Sequence, residues 1–124
     1  MFTINYFETE NHEKPAEDFL KSLDTKMRIK VLRNIQHLKL NGNRLREPLS
    51  SPLRDGIFEL RTQTRGNITR VLYFFYVNKT IILTHGFTKK TPKTPASEID
   101  RAIKYRKLFL AQQEAKDKEE DSNG

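Results

Sequence analysis

The residues able to do chemistry in this chain are mostly cations, and they crowd into one stretch. Between Gly56 and Pro95 stand Arg61, Arg65, Arg70, Lys89, Lys90 and Lys93, interleaved with Tyr73, Tyr76 and His85. Guanidinium and ammonium groups near aromatic rings suit a phosphodiester: they grip its oxygens and stabilise the charge that builds when phosphorus is attacked. RNA carries its own nucleophile, the 2′-hydroxyl, so such a site needs a base, a charge clamp and correct geometry, but no metal. Other constellations are missing. The sequence has no phosphate-binding glycine loop, no HExxH and no Cys/His ligand spacing, and His12, His37 and His85 lie far apart along it. The chemistry so read requires neither metal nor cofactor.

Each candidate has a plainer reading beside the functional one. His85 is the side chain whose ordinary pKa is nearest neutrality, which makes it a candidate general base; a single His in an apolar strand is otherwise a hydrogen-bonded structural residue. Lys89 and Lys90 are the alternative bases. Tyr73 and Tyr76 either stack on RNA bases or fill the core. Arg54, with Arg44 and Arg46, extends a phosphate-tracking surface or solvates a loop.

A meander must bring these charges together. Ile57 to Thr64, Ile68 to Val77 and Thr80 to Phe87 are apolar, β-branched and aromatic runs. The short turns Arg65-Gly66-Asn67 and Asn78-Lys79 separate them, the pattern of three antiparallel strands. In the first run Phe58 and Leu60 point one way, and Ile57, Glu59, Arg61 and Gln63 the other, so one face is apolar and one carries charge. The second run is apolar on both faces and reads as the central strand. Arg70, at its start, is expected at the rim of the core with its guanidinium free to grip an anion. The outcome would be a basic site on a sheet.

Around the meander, Phe2 to Phe7 alternates as a short strand. A helix begins near Pro15, a residue suited to the first turn, with Ala16, Phe19, Leu20 and Leu23 as its apolar stripe. Asp24 is placed to cap a second helix carrying Val31, Leu32, Ile35 and Leu38, which Asn41-Gly42-Asn43 ends. From Arg44 to Gly56, prolines break the pattern into a connecting loop. Thr94, Pro95 and Glu98 read as cap, first position and acidic first turn of a closing helix. The fold class expected is α+β.

At 124 residues the chain suggests a single domain, 1–112, with a charged tail, 113–124, expected to be frayed helix or disordered. The net charge of +7 is uneven. Residues 1–112 hold 21 Lys/Arg and 11 Asp/Glu, net +10, whereas 113–124 hold two Lys and five Asp/Glu, net −3. So basic a body favours a polyanionic partner. The absence of cysteine and of an apolar run near the ~20 residues of a membrane span points to a cytoplasmic protein with no membrane partner.

Several strings resemble a known family. G-I-F-E-L-R at Gly56–Arg61, R-V-L-Y-F-F at Arg70–Phe75 and L-T-H-G-F-T-K-K-T-P-K-T-P at Leu83–Pro95, followed by E-I-D-R-A at Glu98–Ala102, resemble the phage-derived HigB-like branch of the RelE/ParE toxin superfamily. The resemblance covers almost the whole chain and implies a RelE-like domain and the toxin of a type II toxin–antitoxin system. It further implies a ribosome-dependent endoribonuclease that cuts translated mRNA. The motif positions of the family fall here on Arg61, Arg70, Lys89, Lys90 and Lys93. Glu59 departs from it, standing where a lysine would be expected. The partners implied are a cognate helix-turn-helix antitoxin, mRNA on the ribosome, and operator DNA only through the antitoxin. The same superfamily also hosts ParE-like inhibitors of DNA gyrase, and a non-enzymatic nucleic-acid-binding module is the third reading.

Overall fold

The structure is a computed structural model and describes residues 1–123. Five strands form one sheet: β1 (Thr3–Tyr6), β2 (Ser50–Pro52), β3 (Phe58–Thr64), β4 (Asn67–Tyr76) and β5 (Thr80–Lys89), in the order β1-β5-β4-β3-β2. The β3-β4-β5 meander is antiparallel, and β1 lies parallel to β5 at one edge. The helices are α1 (Pro15–Ser22), α2 (Thr25–Asn41) and α3 (Ala96–Asn123). The α+β class expected from the sequence is the one observed.

The central place of β4 follows from its two apolar faces. Val71 and Tyr73 pack with Leu60, Ile81 and Leu83 against Ala16, Leu20, Val31, Ile35 and Leu38 of the helical hairpin. Leu72 and Phe74 turn the other way, with Ile57, Ile82 and Phe87, towards Ala102 and the aromatic side of α3. Helices on both faces cover the central strand, which is why its sequence is apolar on both faces from Val71 to Phe75.

Local chemistry fixes the helices. The Asp24 side chain accepts from Met27 N at 2.8 Å, capping α2, and Pro15 occupies the first turn of α1. Gly86 of β5 has no side chain because Phe19 of α1 lies on it: a Cβ there would stand 2.2 Å from the Phe19 ring. At the β3–β4 hairpin, Gly66 takes φ 71°, a left-handed geometry that favours glycine.

Two local expectations change. The Arg44–Gly56 segment includes the edge strand β2, which pairs Ser50 with Leu60 and Pro52 with Phe58. Thr94 does not cap α3; its hydroxyl is drawn to Glu59, and Pro95 instead offers its carbonyl to the amides of Glu98 and Ile99. The charged segment after Gln113 continues α3 as helix to Asn123, with its side chains through Asp121 exposed apart from Gln113 itself. Among the described residues, no helix is long and apolar enough to cross a membrane.

Candidate functional site

Cross-strand register decides which cations meet. Arg61 pairs with Arg70 and Arg70 with Phe87, so a single rung of the sheet carries both arginines on the side towards α3. Two like charges at one rung are unfavourable unless something negative lies between them. Glu59, two residues back on β3 and on the same face, supplies it: Glu59 Oε2 is 3.3 Å from Arg70 Nε, and Oε1 is 3.7 Å from Arg61 Nε. The position where the family resemblance called for lysine is thus an internal counter-ion.

Arg70 corrects the sequence reading most sharply. It is not at the rim but wholly buried, at 0 % exposure. Its Nη2 donates to the carbonyls of Thr91 and Pro92 at 2.7 and 2.6 Å, its guanidinium lies 5.9 Å from the Phe87 ring centroid, and burial lowers its pKa. Thr94 donates its hydroxyl to Glu59 from the other end of the same loop. Arg70 and Glu59 together strap the segment that follows β5 down onto the sheet. A buried charge tolerates this only when paired and hydrogen-bonded.

The strapped segment carries the free cations. Lys89 ends β5, paired across to Ile68, and Lys89, Lys90 and Lys93 are all exposed. Arg65, exposed in the β3–β4 turn, stands at the same end of the sheet, and Arg61 is partly exposed at its β3 edge. Arg61, Arg65, Lys89, Lys90 and Lys93 are therefore the predicted residues that the fold gathers with solvent access. The basic site is an end and a loop, not an open sheet face.

The remaining predicted residues lie elsewhere. His85 is 2 % exposed, between Phe87 and Tyr105, with Nδ1 3.1 Å from Thr84 Oγ1. Burial, with Arg101 nearby, pushes its pKa down to about 4, outweighing the Glu98 carboxylate 3.4 Å from Nε2, which makes no hydrogen bond there. It is neutral and enclosed, the structural alternative of the two readings. Tyr73 is a core residue, stacked on Phe58 and bonded through its hydroxyl to Ser50 at 2.5 Å, so no base can stack on it. Tyr76 packs edge-on against Phe109 and sits eight residues along β4 from Ile68, ~26 Å from the lysines at strand rise. Arg54 precedes β3, at the opposite end from Arg65, and is ion-paired with Asp55 and Asp100.

Sequence reasoning missed Thr94, whose cap-like context concealed a tertiary partner, and the cations of α2. Lys26, Lys30 and Arg33 recur at helical spacing and are exposed; the signal is that spacing, opposite the apolar stripe of the same helix. A cleft of about 450 Å³ beside β2, lined by Leu45, Arg46, Ser50, Phe58 and Phe75, holds none of the loop lysines.

Comparison with known proteins adds one match. Residues 18–107 match the family described as Phage derived protein Gp49-like (DUF891), a span running from α1 through the first turns of α3 and including every cation of the site. No curated protein matches the chain.

Proposed function

The chain belongs to the phage-derived Gp49-like family, which is toxin-like, and on that premise we propose that it is the toxin of a type II toxin–antitoxin pair, an endoribonuclease cutting translated mRNA. The observation that carries this reading is the pinned cationic loop. Three exposed lysines, Lys89, Lys90 and Lys93, flank two carbonyls held at 2.7 and 2.6 Å by a buried arginine. Cations fixed in advance stabilise a transition state better than cations on a loop that must first be ordered.

In this reading the RNA 2′-oxygen attacks the adjacent phosphorus and the bond to the 5′-oxygen breaks. Lys89, Lys90 and Lys93, with Arg61 and Arg65 beyond them, hold the phosphate oxygens as charge accumulates. With His85 enclosed, one of Lys89 and Lys90, as the neutral amine, takes the 2′-hydroxyl proton, while a neighbouring lysine ammonium gives a proton to the leaving 5′-oxygen. The products are a 2′,3′-cyclic phosphate and a 5′-hydroxyl. Holding such a toxin inactive falls to a helix-turn-helix antitoxin, which would also carry any contact with operator DNA. The outward side of α2, where Ile29, Leu32 and Leu40 are 52, 44 and 53 % exposed, is a suitable place for it to dock.

The test is cell-free translation. The parent should leave mRNA cut, with cyclic-phosphate and 5′-hydroxyl ends, and a substrate with 2′-deoxyribose at the scissile position should resist. Changing Lys89, Lys90 and Lys93 together to Ala should lower the rate on the order of 10²–10³. Ends bearing 5′-phosphate would refute the chemistry. Intact mRNA with normal translation would refute the ribonuclease and favour the gyrase-inhibitor alternative, read in a supercoiling assay.

A further inference from the structure

Outside the strapped loop, the strongest charge feature runs along α2 to the margin of β3. Residues 25–54 contain eight Lys/Arg and a single acid, Glu47. Lys26, Lys30 and Arg33 stand at i, i+4 and i+7 of α2, so they share one face and span ~10 Å along the helix axis at its rise per residue. Asn34, on the neighbouring side of the same helix, donates to Thr62 Oγ1 at 2.8 Å and ties this face to the edge of β3. There it meets Arg61 and Arg65. Two adjoining hollows record the junction: one is lined by Lys30, Arg33, Asn34, Pro48, Leu49, Arg61, Thr62 and Gln63, the next by Asp24, Lys26, Met27, Lys30, Thr64 and Arg65.

None of Lys26, Lys30, Arg33 or Arg65 makes an ion pair among the described residues. Asp24, which lines the second hollow, is occupied as the α2 cap. We propose that this ridge, Lys26-Lys30-Arg33 with Arg61 and Arg65, is a second binding site that tracks the phosphate backbone of a nucleic-acid strand. It leads round the hairpin end towards Lys89. The inference rests on the ribonuclease reading for its biological sense, though its physical basis is independent of it.

Two features favour a nucleic acid over an acidic protein. Asn34, Gln63 and Thr64 stand between the cations, beside Pro48, Leu49 and Met27, and their amides and hydroxyl add neutral contacts to phosphate and sugar oxygens. Spacing agrees as well. The ~10 Å from Lys26 to Arg33 spans about three phosphates of one helical strand, at ~3.4 Å of axis each.

The probe is a labelled, single-stranded 2′-O-methyl RNA, which cannot be cleaved, titrated with the full chain by anisotropy across a salt series. Neutralising three phosphates contributes a slope of about −2 in log K against log salt for single strands. The K26A/K30A/R33A variant should therefore lose about 2 from the magnitude of the slope, and bind about 100-fold more weakly near 0.1 M salt while converging with the parent near 1 M. A control variant, K104A/K107A/K116A, removes equal charge from α3 and should keep the parental slope. An unaltered slope in the α2 variant, or an equal loss in the control, overturns the ridge. Polyglutamate of matched charge competing as well as RNA overturns it in favour of an acidic protein partner. A ridge-dependent slope in a parent that never cuts RNA upholds the ridge and defeats only the ribonuclease; cleavage with an unaltered slope does the reverse.

Discussion

Replacing Arg70 with Ala should destabilise this protein rather than merely disarm it. The arginine is fully enclosed, so the substitution removes two charge-assisted bonds to the Thr91 and Pro92 carbonyls and leaves Glu59 buried with only Arg61, 3.7 Å away, as counter-ion. Breaking a buried pair from one side costs ~3–5 kcal/mol, most of it the penalty of the stranded charge. That is a large fraction of the ~5–15 kcal/mol stability of an ordinary domain. With a urea slope of ~1–3 kcal/mol per molar, the unfolding midpoint should fall by about 2 M. Replacing both partners with apolar residues, Glu59→Leu and Arg70→Met, leaves no unpaired charge and should recover most of the loss. The double-mutant cycle should show ~2–3 kcal/mol of coupling. An Arg70→Ala protein as stable as the parent, or a double variant losing the sum of the singles, refutes the strap. Recovered stability without recovered cleavage would identify Arg70 as a residue that positions the lysine loop.

Three further outcomes follow from the geometry. His85 is held neutral, its pKa depressed to about 4, so its contribution is present above about pH 6.5 and lost as pH falls towards 4; across that window it should remove about 3 kcal/mol, and His85→Gln should flatten the urea-midpoint curve there. An identical acid slope in the variant would contradict the assignment. Tyr73→Phe removes the bond to the buried Ser50 hydroxyl and should cost ~1 kcal/mol in denaturant while leaving RNA affinity unchanged; weakened RNA binding would restore a stacking role. Asp24→Ala should cost ~1 kcal/mol through loss of the α2 cap, which thermal unfolding would detect, and an unchanged midpoint would mean the cap contributes nothing.

The framework was legible because local and tertiary signals agreed. Apolar alternation marked the meander to within a residue or two, and Asp24 and Pro15 marked helix starts with chemistry that acts where it stands in the sequence. The site was legible only in part. Lys89, Lys90 and Lys93 are exposed because they stand at and beyond a strand end, a fact the sequence carries. Burial of Arg70 depends on where the chain after Phe87 goes, and no periodicity in β4 encodes that. The edge strand β2 was hidden for a related reason: three residues are too short to show a period, and Ser50 earns its place by pairing with Leu60 and bonding to Tyr73.

Alternation along β3 had shown a face carrying Glu59, Arg61 and Gln63, and charge on one face is ordinarily a sign of solvent. Here the charged face is covered where Thr94 folds back on Glu59, and the charges become the means of covering it. Arg70 needs a carboxylate because it is buried, and it is buried because the loop whose carbonyls it binds lies over it. Each charge is unfavourable alone and tolerable with its partners, so Glu59, Arg70 and the Thr91–Thr94 segment are ordered together or not at all. The glutamate in a place where a lysine would suit a phosphate site is then physically consistent. A third cation on the Arg61–Arg70 side would leave both arginines without a counter-ion, whereas Glu59 neutralises them internally and leaves the exposed positive charge to Lys89, Lys90 and Lys93, where a phosphate can reach it.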